Sequence, residues 1–138
     1  MLAFQDFFRK HFDEWSADFQ YQEASVQLLL QAFLQRIVNS GGYIFREYGL
    51  GRKRTDLLVT WYYQDSKQEI VIEIKIRYQD TNTVIQKGLI QTAEYMDKCA
   101  ATEGHLVIFD RRKSVSWEEK IFHKAFVHDD KTIMVWGM

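Results

Sequence analysis

The chain has 138 residues, 46% hydrophobic, 15% aromatic and 27% charged, the profile of one ordinary soluble domain and not of a disordered, collagenous or coiled-coil chain. Eighteen Lys and Arg against nineteen Asp and Glu leave a formal charge of −1, so no global field draws the protein to nucleic acid or anionic lipid, and a polyanion must be met by a local patch. The single cysteine, Cys99, excludes an internal disulfide and multi-cysteine zinc sites and fits a reducing, cytoplasmic setting, while no apolar run approaches the ~18 residues of a membrane span.

No repeat, linker or low-complexity tract divides the sequence, and proline is absent, which predicts a single domain over 1–138. Residues 2–19 set Phe4, Phe7, Phe8, Phe12, Trp15 and Phe19 at helical spacing, an N-terminal helical extension (about 1–20) whose aromatic stripe is expected to pack. A second helix is predicted over 23–38, with Val26, Leu29, Leu30, Phe33 and Ile37 repeating at 3.6-residue spacing and 39–42 as the stop; Glu23 opens it on the same face. The period then changes. Residues 43–48, 55–63 and 69–77 are rich in β-branched and aromatic residues and predict three antiparallel strands. A helix over 84–100, a strand over 105–109 and a hairpin of 122–128 with 132–136 complete the order. A helix between the third and fourth strands lets those two lie parallel, which predicts an α/β fold with a mixed central sheet flanked by helices and a C-terminal hairpin.

The third strand carries the chemistry. Its alternation puts Ile70, Ile72, Ile74 and Ile76 on one face and Val71, Glu73, Lys75 and Arg77 on the other. A central position would half-bury Glu73 and Lys75, which is costly unless the charges are paired or bind a metal; the bland alternative is an exposed ladder with a local ion pair. The hairpin turn at 64–67 brings the start of the second strand near the end of the third, so Asp56 and Glu73 converge. Two carboxylates beside a lysine suit a hard divalent cation that keeps several waters. Lys75 would orient or deprotonate an attacking water, or offset charge on a phosphorane-like transition state.

Asp56 followed seventeen residues later by Glu73-Ile74-Lys75, across a hairpin and between two helices, resembles the PD-(D/E)XK nuclease superfamily, although Thr55 stands where the family name has proline. Residues 89–95, Leu-Ile-Gln-Thr-Ala-Glu-Tyr, look like the Q-x-x-x-Y motif of its RecB-like branch, with Gln91 and Tyr95 on a face shared by Lys87 and Gly88 and apart from the stripe Ile85, Leu89, Ala93, Met96 and Ala100. From about Phe12 onward the chain is also similar to the nuclease-like domain at the C-terminus of a group of prokaryotic ATP-binding proteins, yet no phosphate-binding G-x-x-x-x-G-K-[ST] loop is present. The resemblance implies a restriction-endonuclease-like fold, with Mg²⁺ or Mn²⁺ held by Asp56, Glu73 and the carbonyl of Ile74. It also implies a further acidic residue from the preceding helix, Glu23, for which Glu47 is the alternative, and Gln91 and Tyr95 as substrate contacts. Arg52, Lys53 and Arg54 before Asp56, Arg77 after the strand, and Lys87 would ring the site and hold phosphates.

The expected function is metal-dependent hydrolysis of DNA phosphodiester bonds alongside an ATPase module or partner, compatible with a homodimer. The alternative is a non-catalytic DNA-binding or docking module that regulates an ATPase. Five acidic and two basic residues up to Glu23, beside the aromatic stripe, favour that alternative, while the intact Asp56, Glu73 and Lys75 favour the enzyme.

Overall fold

Phe4 and Phe8 are fully buried by the first helix, α1 (Leu2–Ser16), and Phe8 meets the ring of Phe109 at 5.0 Å, so the aromatic stripe is core at these positions. The computed structural model describes residues 1–16, 23–39, 41–50, 53–78 and 81–138, and the side chains of all of these but 12–16, 50, 53, 81 and 82. The stripe positions Phe12, Trp15 and Phe19 therefore fall outside the described side chains. Gln5 turns inward beside Phe4, donating to the carbonyls of Phe122 and Gly137, which ties α1 to the C-terminal hairpin.

The second helix, α2 (Glu23–Val38), buries Val26, Gln27, Leu30 and Val38. Burial follows the i+4 ridge 26, 30, 34, 38, so Ile37, expected in the apolar stripe, is instead 55% exposed. Strands β1 (Gly42–Leu50), β2 (Lys53–Tyr63) and β3 (Ser66–Arg77) form an antiparallel meander. Helix α3 (Thr81–Cys99) crosses over to β4 (Glu103–Asp110), which pairs parallel with β3. After a single helical turn, α4 (Trp117–Lys120), the hairpin β5 (Phe122–His128) and β6 (Lys131–Gly137) closes the chain, giving a six-stranded mixed sheet in the order β1-β2-β3-β4-β6-β5. The parallel crossover and the hairpin agree with the sequence. Asp129 and Asp130 both have positive φ (47° and 60°), as a two-residue type I′ hairpin turn requires.

The sheet divides two cores. Leu57, Val59, Ile72 and Ile74 pack under α1 and α2, while Leu58, Val71, Leu106 and Ile108 pack under α3. All four alternate isoleucines of β3 lie on the α1–α2 side, which leaves Glu73 and Lys75 on the α3 side. Helix α3 ends in a Schellman cap, with Ala101 N donating to Met96 O (2.8 Å) and Ala100 N to Asp97 O (3.2 Å) around Ala100 at φ 52°. Ala100 is thus the exposed cap and not part of the apolar stripe. The turn α4 was not predicted, although Ser116-x-x-Glu119 is a capping-box pattern and Glu119 N does reach Ser116 Oγ at 3.4 Å. Among the described residues no helix is long and apolar enough to cross a membrane.

Candidate active site

The register of β2 on β3, Leu57 opposite Ile72 and Leu58 opposite Val71, would put Asp56 opposite Glu73, but the ladder stops at Leu57. On the other side of β2 the ladder with β1 skips the same position: Arg46 pairs with Leu57 and Tyr48 with Thr55, while Glu47, at φ 49°, drops out. A non-glycine residue in the left-handed region is strained, and the kink opens the sheet on both sides of Asp56. The freed amide of Ile74 donates to Asp56 Oδ2 at 2.7 Å. Along a strand a residue's N–H and C=O leave on the same side, so the Ile74 carbonyl also points toward this gap.

Asp56 is held from the opposite layer as well. Gln27 of α2, 4% exposed, donates through Nε2 to the Asp56 carbonyl at 2.9 Å, satisfying a backbone acceptor that the broken ladder leaves over. Sequence reasoning missed Gln27. Its available signal was a glutamine at a core position of the helix, one turn after Glu23. Glu23, expected on the helix face that points at the body of the protein, is exposed at the start of α2, and its charge nonetheless acts on Asp56.

Glu73 is 3% exposed. Its Oε1 accepts from Lys75 Nζ at 2.7 Å, whereas Oε2 is buried with no hydrogen-bond partner among the described residues. Burial, reinforced by the charge of Asp56, pushes its carboxyl up to about 7 against the pull of Lys75 and, more weakly, of the Asp56 backbone amide. Asp56 is pushed up to about 6, again first by burial, with Glu23 and Glu47 adding repulsion and the Ile74 amide and Lys75 opposing it. Tyr95 of α3, 3% exposed, is pushed up to about 12 by burial and by the charges of Glu73, Asp56 and Glu94, so its phenol lies within electrostatic reach of the carboxylates. Gln91, half-buried, and Lys87, exposed, stand one and two turns earlier on α3. Gly88 was expected beside them but is buried on the sheet, since a Cβ there would lie 2.6 Å from both Leu106 methyls.

The basic residues divide. Arg54 is exposed and 3.4 Å from Glu47, which is thereby a surface partner beside Asp56. Arg52 and the side chain of Lys53 lie outside the described residues. Arg77 is not part of a phosphate-holding ring: it is 6% exposed, and its Nη1 binds Asp110 Oδ2 at 3.1 Å, next to Arg112. Burial pushes the Asp110 carboxyl up, but the hydrogen bonds of Arg112 and the charge of Arg77 outweigh it and hold it below its usual range. A buried, balanced pair of this kind is structural.

These atoms fit a Mg²⁺ or Mn²⁺ ion. A buried carboxylate oxygen with no donor is costly unless it is protonated or ligated, and Glu73 Oε2 is such an oxygen beside a second carboxylate raised for the same reason. No group of three or more His, Cys, Asp or Glu side chains arranged to hold a metal occurs among the described residues. Two carboxylates and a carbonyl are nonetheless the sparse oxygen set that Mg²⁺ accepts, with water or substrate completing its shell. No protein-family model, curated protein or solved structure matches the chain.

Proposed function

We propose that the protein is a metal-dependent deoxyribonuclease of restriction-endonuclease-like fold that works with an ATPase module or partner. The observation that carries the reading is the orphaned Oε2 of Glu73, buried where the ladder beside Asp56 gives way and next to Lys75. The antiparallel meander followed by a helical crossover to a parallel strand supports the fold assignment, since it sets the E-x-K strand centrally under α3. Bound at Asp56, Glu73 and the Ile74 carbonyl, Mg²⁺ or Mn²⁺ would supply Lewis-acid polarisation of the scissile phosphate and a more acidic water.

The chain's own groups do the rest. Lys75, held at 2.7 Å by Glu73, presents its ammonium beside the carboxylates, where it orients the attacking water or offsets charge growing on phosphate oxygens. Glu23, at the exposed rim, is the outer acidic group that accepts a proton from water. Gln91 positions the substrate from α3 and the buried Tyr95 positions the carboxylates, with Lys87 and Arg54 neutralising phosphates. The alternative of a non-catalytic docking module accounts for the Glu73–Lys75 pair but leaves the buried Oε2 of Glu73 without a partner.

The test is cleavage of circular single- and double-stranded DNA with Mn²⁺ or Mg²⁺. Activity is expected in the parent and lost by roughly 10²-fold or more in Lys75→Ala, the range of a positioned proton-transfer or charge-stabilising group. A folded, metal-binding protein that cuts neither form would refute the enzyme and favour the docking module.

A further inference from the structure

Four aromatic rings on β1 and β2 stand out in the open. Tyr43, Phe45, Tyr48 and Tyr62 are 61%, 43%, 40% and 51% exposed, although rings of this size are usually mostly buried. They touch in sequence: Tyr62 meets Tyr43 edge-on at 6.2 Å, Tyr43 stacks on Phe45 at 6.4 Å and 27°, and Phe45 meets Tyr48 at 5.7 Å. Phe45 lies opposite Leu58, whose side chain belongs to the core under α3, and Tyr43 lies opposite Thr60. Tyr43, Phe45 and, two residues after Thr60, Tyr62 are therefore on the same face of the sheet as Asp56 and Glu73, and Phe45 reaches Tyr48 across the kink at Glu47 beside Asp56.

We propose that this row is a base-stacking platform for single-stranded DNA that leads one strand into the carboxylate site; the proposal rests on the nuclease reading above. An exposed π-face accepts any base, and such stacking is sequence-tolerant, whereas the bases of a duplex are already stacked on each other and cannot use it. Two solvent-exposed cations stand at the ends of the row. Lys67 stands opposite Tyr62 and Arg54 one residue beyond Tyr48's partner Thr55, both held by pairs with Glu69 (2.6 Å) and Glu47 (3.4 Å) that involve solvent-exposed cations. Such surface pairs are weak and are readily exchanged for phosphate. A second copy of this chain fits the same surface less well: β1 is an edge strand, but charged Arg46 and Glu47 and the kink at Glu47 interrupt it in the manner that prevents edge-to-edge pairing.

The experiment measures fluorescence anisotropy of a labelled oligothymidylate, a duplex of the same length and an oligouridylate, with the full chain in EDTA so that nothing is cut. The parent is expected to bind oligothymidylate most tightly. Tyr43→Ala and Phe45→Ala should each weaken that binding about tenfold, leaving duplex binding within twofold, and Tyr43→Phe should restore it because the ring and not the hydroxyl is used. All these positions are exposed, and Ile37→Ala, an exposed apolar residue on α2, serves as the control without effect. Unchanged oligothymidylate binding in the alanine variants would overturn the platform, as would equal losses on duplex or tighter binding of oligouridylate. Loss of self-association in place of DNA binding, read by sedimentation, would make a second copy the occupant and overturn it too. Because metal is absent, binding that depends on Tyr43 and Phe45 without any cleavage under Mn²⁺ would sink the nuclease reading alone, and cleavage with ring-independent binding would sink the platform alone.

Discussion

Ionising Glu73 costs the fold stability. Its carboxyl ordinarily titrates near 4.5 and is pushed up to about 7 in the folded protein, so between those values the folded state binds more protons than the unfolded chain. Stability from this group is present below the lower value and is lost as pH rises through the upper one. Glu73→Gln removes the penalty and keeps an oxygen that can accept from Lys75. Thermal melts should show the parent losing stability from pH 5 to pH 8 and the variant losing less, through Asp56 alone, so that the variant is more stable than the parent by on the order of 2 kcal/mol at pH 8. A parent and variant with parallel pH profiles would show that Glu73 carries no such strain. The convergence of the two carboxylates and the lysine was legible in the sequence because strand alternation and a hairpin turn set it, whereas Tyr95 was singled out by the resemblance to the Q-x-x-x-Y motif. Gln27 was not, because its role depends on a hydrogen bond to a residue 29 positions away.

At the scale of elements, the distance of α3 from the sheet controls where Tyr95 stands. Gly88 lets the helix lie directly on Leu106, which is fully buried on β4, and Gly104 does the same from the sheet side, where a Cβ would come against Met96. Gly88→Ala would gain up to about 1 kcal/mol of helix propensity but must displace the Leu106 methyls or lift the helix, at a cost of roughly 1–3 kcal/mol. We expect a net loss of about 1 kcal/mol in denaturant unfolding, with cleavage reduced more than stability because Tyr95 and Gln91 move with the helix. Pairing the change with Leu106→Val should restore both; a variant as stable and active as the parent would show that the contact does not set the helix height. The helix was readable from periodicity, although it begins three residues before the expected start at 84 and ends at Cys99. Gly88 was assigned to the wrong face because the buried stripe of a helix lying on a sheet is wider than its apolar residues alone suggest.

For the whole molecule, a cation at the site would relieve a repulsion that the folded state otherwise carries. Mn²⁺ or Mg²⁺ that binds only the folded protein raises its stability by mass action, about 2.7 kcal/mol at a hundredfold excess over Kd. The melting temperature should therefore rise with added Mn²⁺ at pH 8. At pH 5.5, where Asp56 and Glu73 compete for protons, the rise should shrink, and in Asp56→Asn it should vanish. A rise of equal size in all three conditions would place the ion elsewhere.

Strand alternation, helical spacing and the turn residues were enough to determine the six strands, the three long helices, the parallel crossover and the two-sided character of β3, because each is written in residues near one another along the chain. The tertiary structure alone decided what those elements do to each other. The ladder gives way around Asp56, Gln27 takes the carbonyl that the gap exposes, and Arg77 pairs with Asp110 across 33 residues, withdrawn from the site that its strand position suggested. Each of these follows from the free energy of satisfying a buried polar group, which depends on the partners that packing brings near and not on the residues adjacent in sequence.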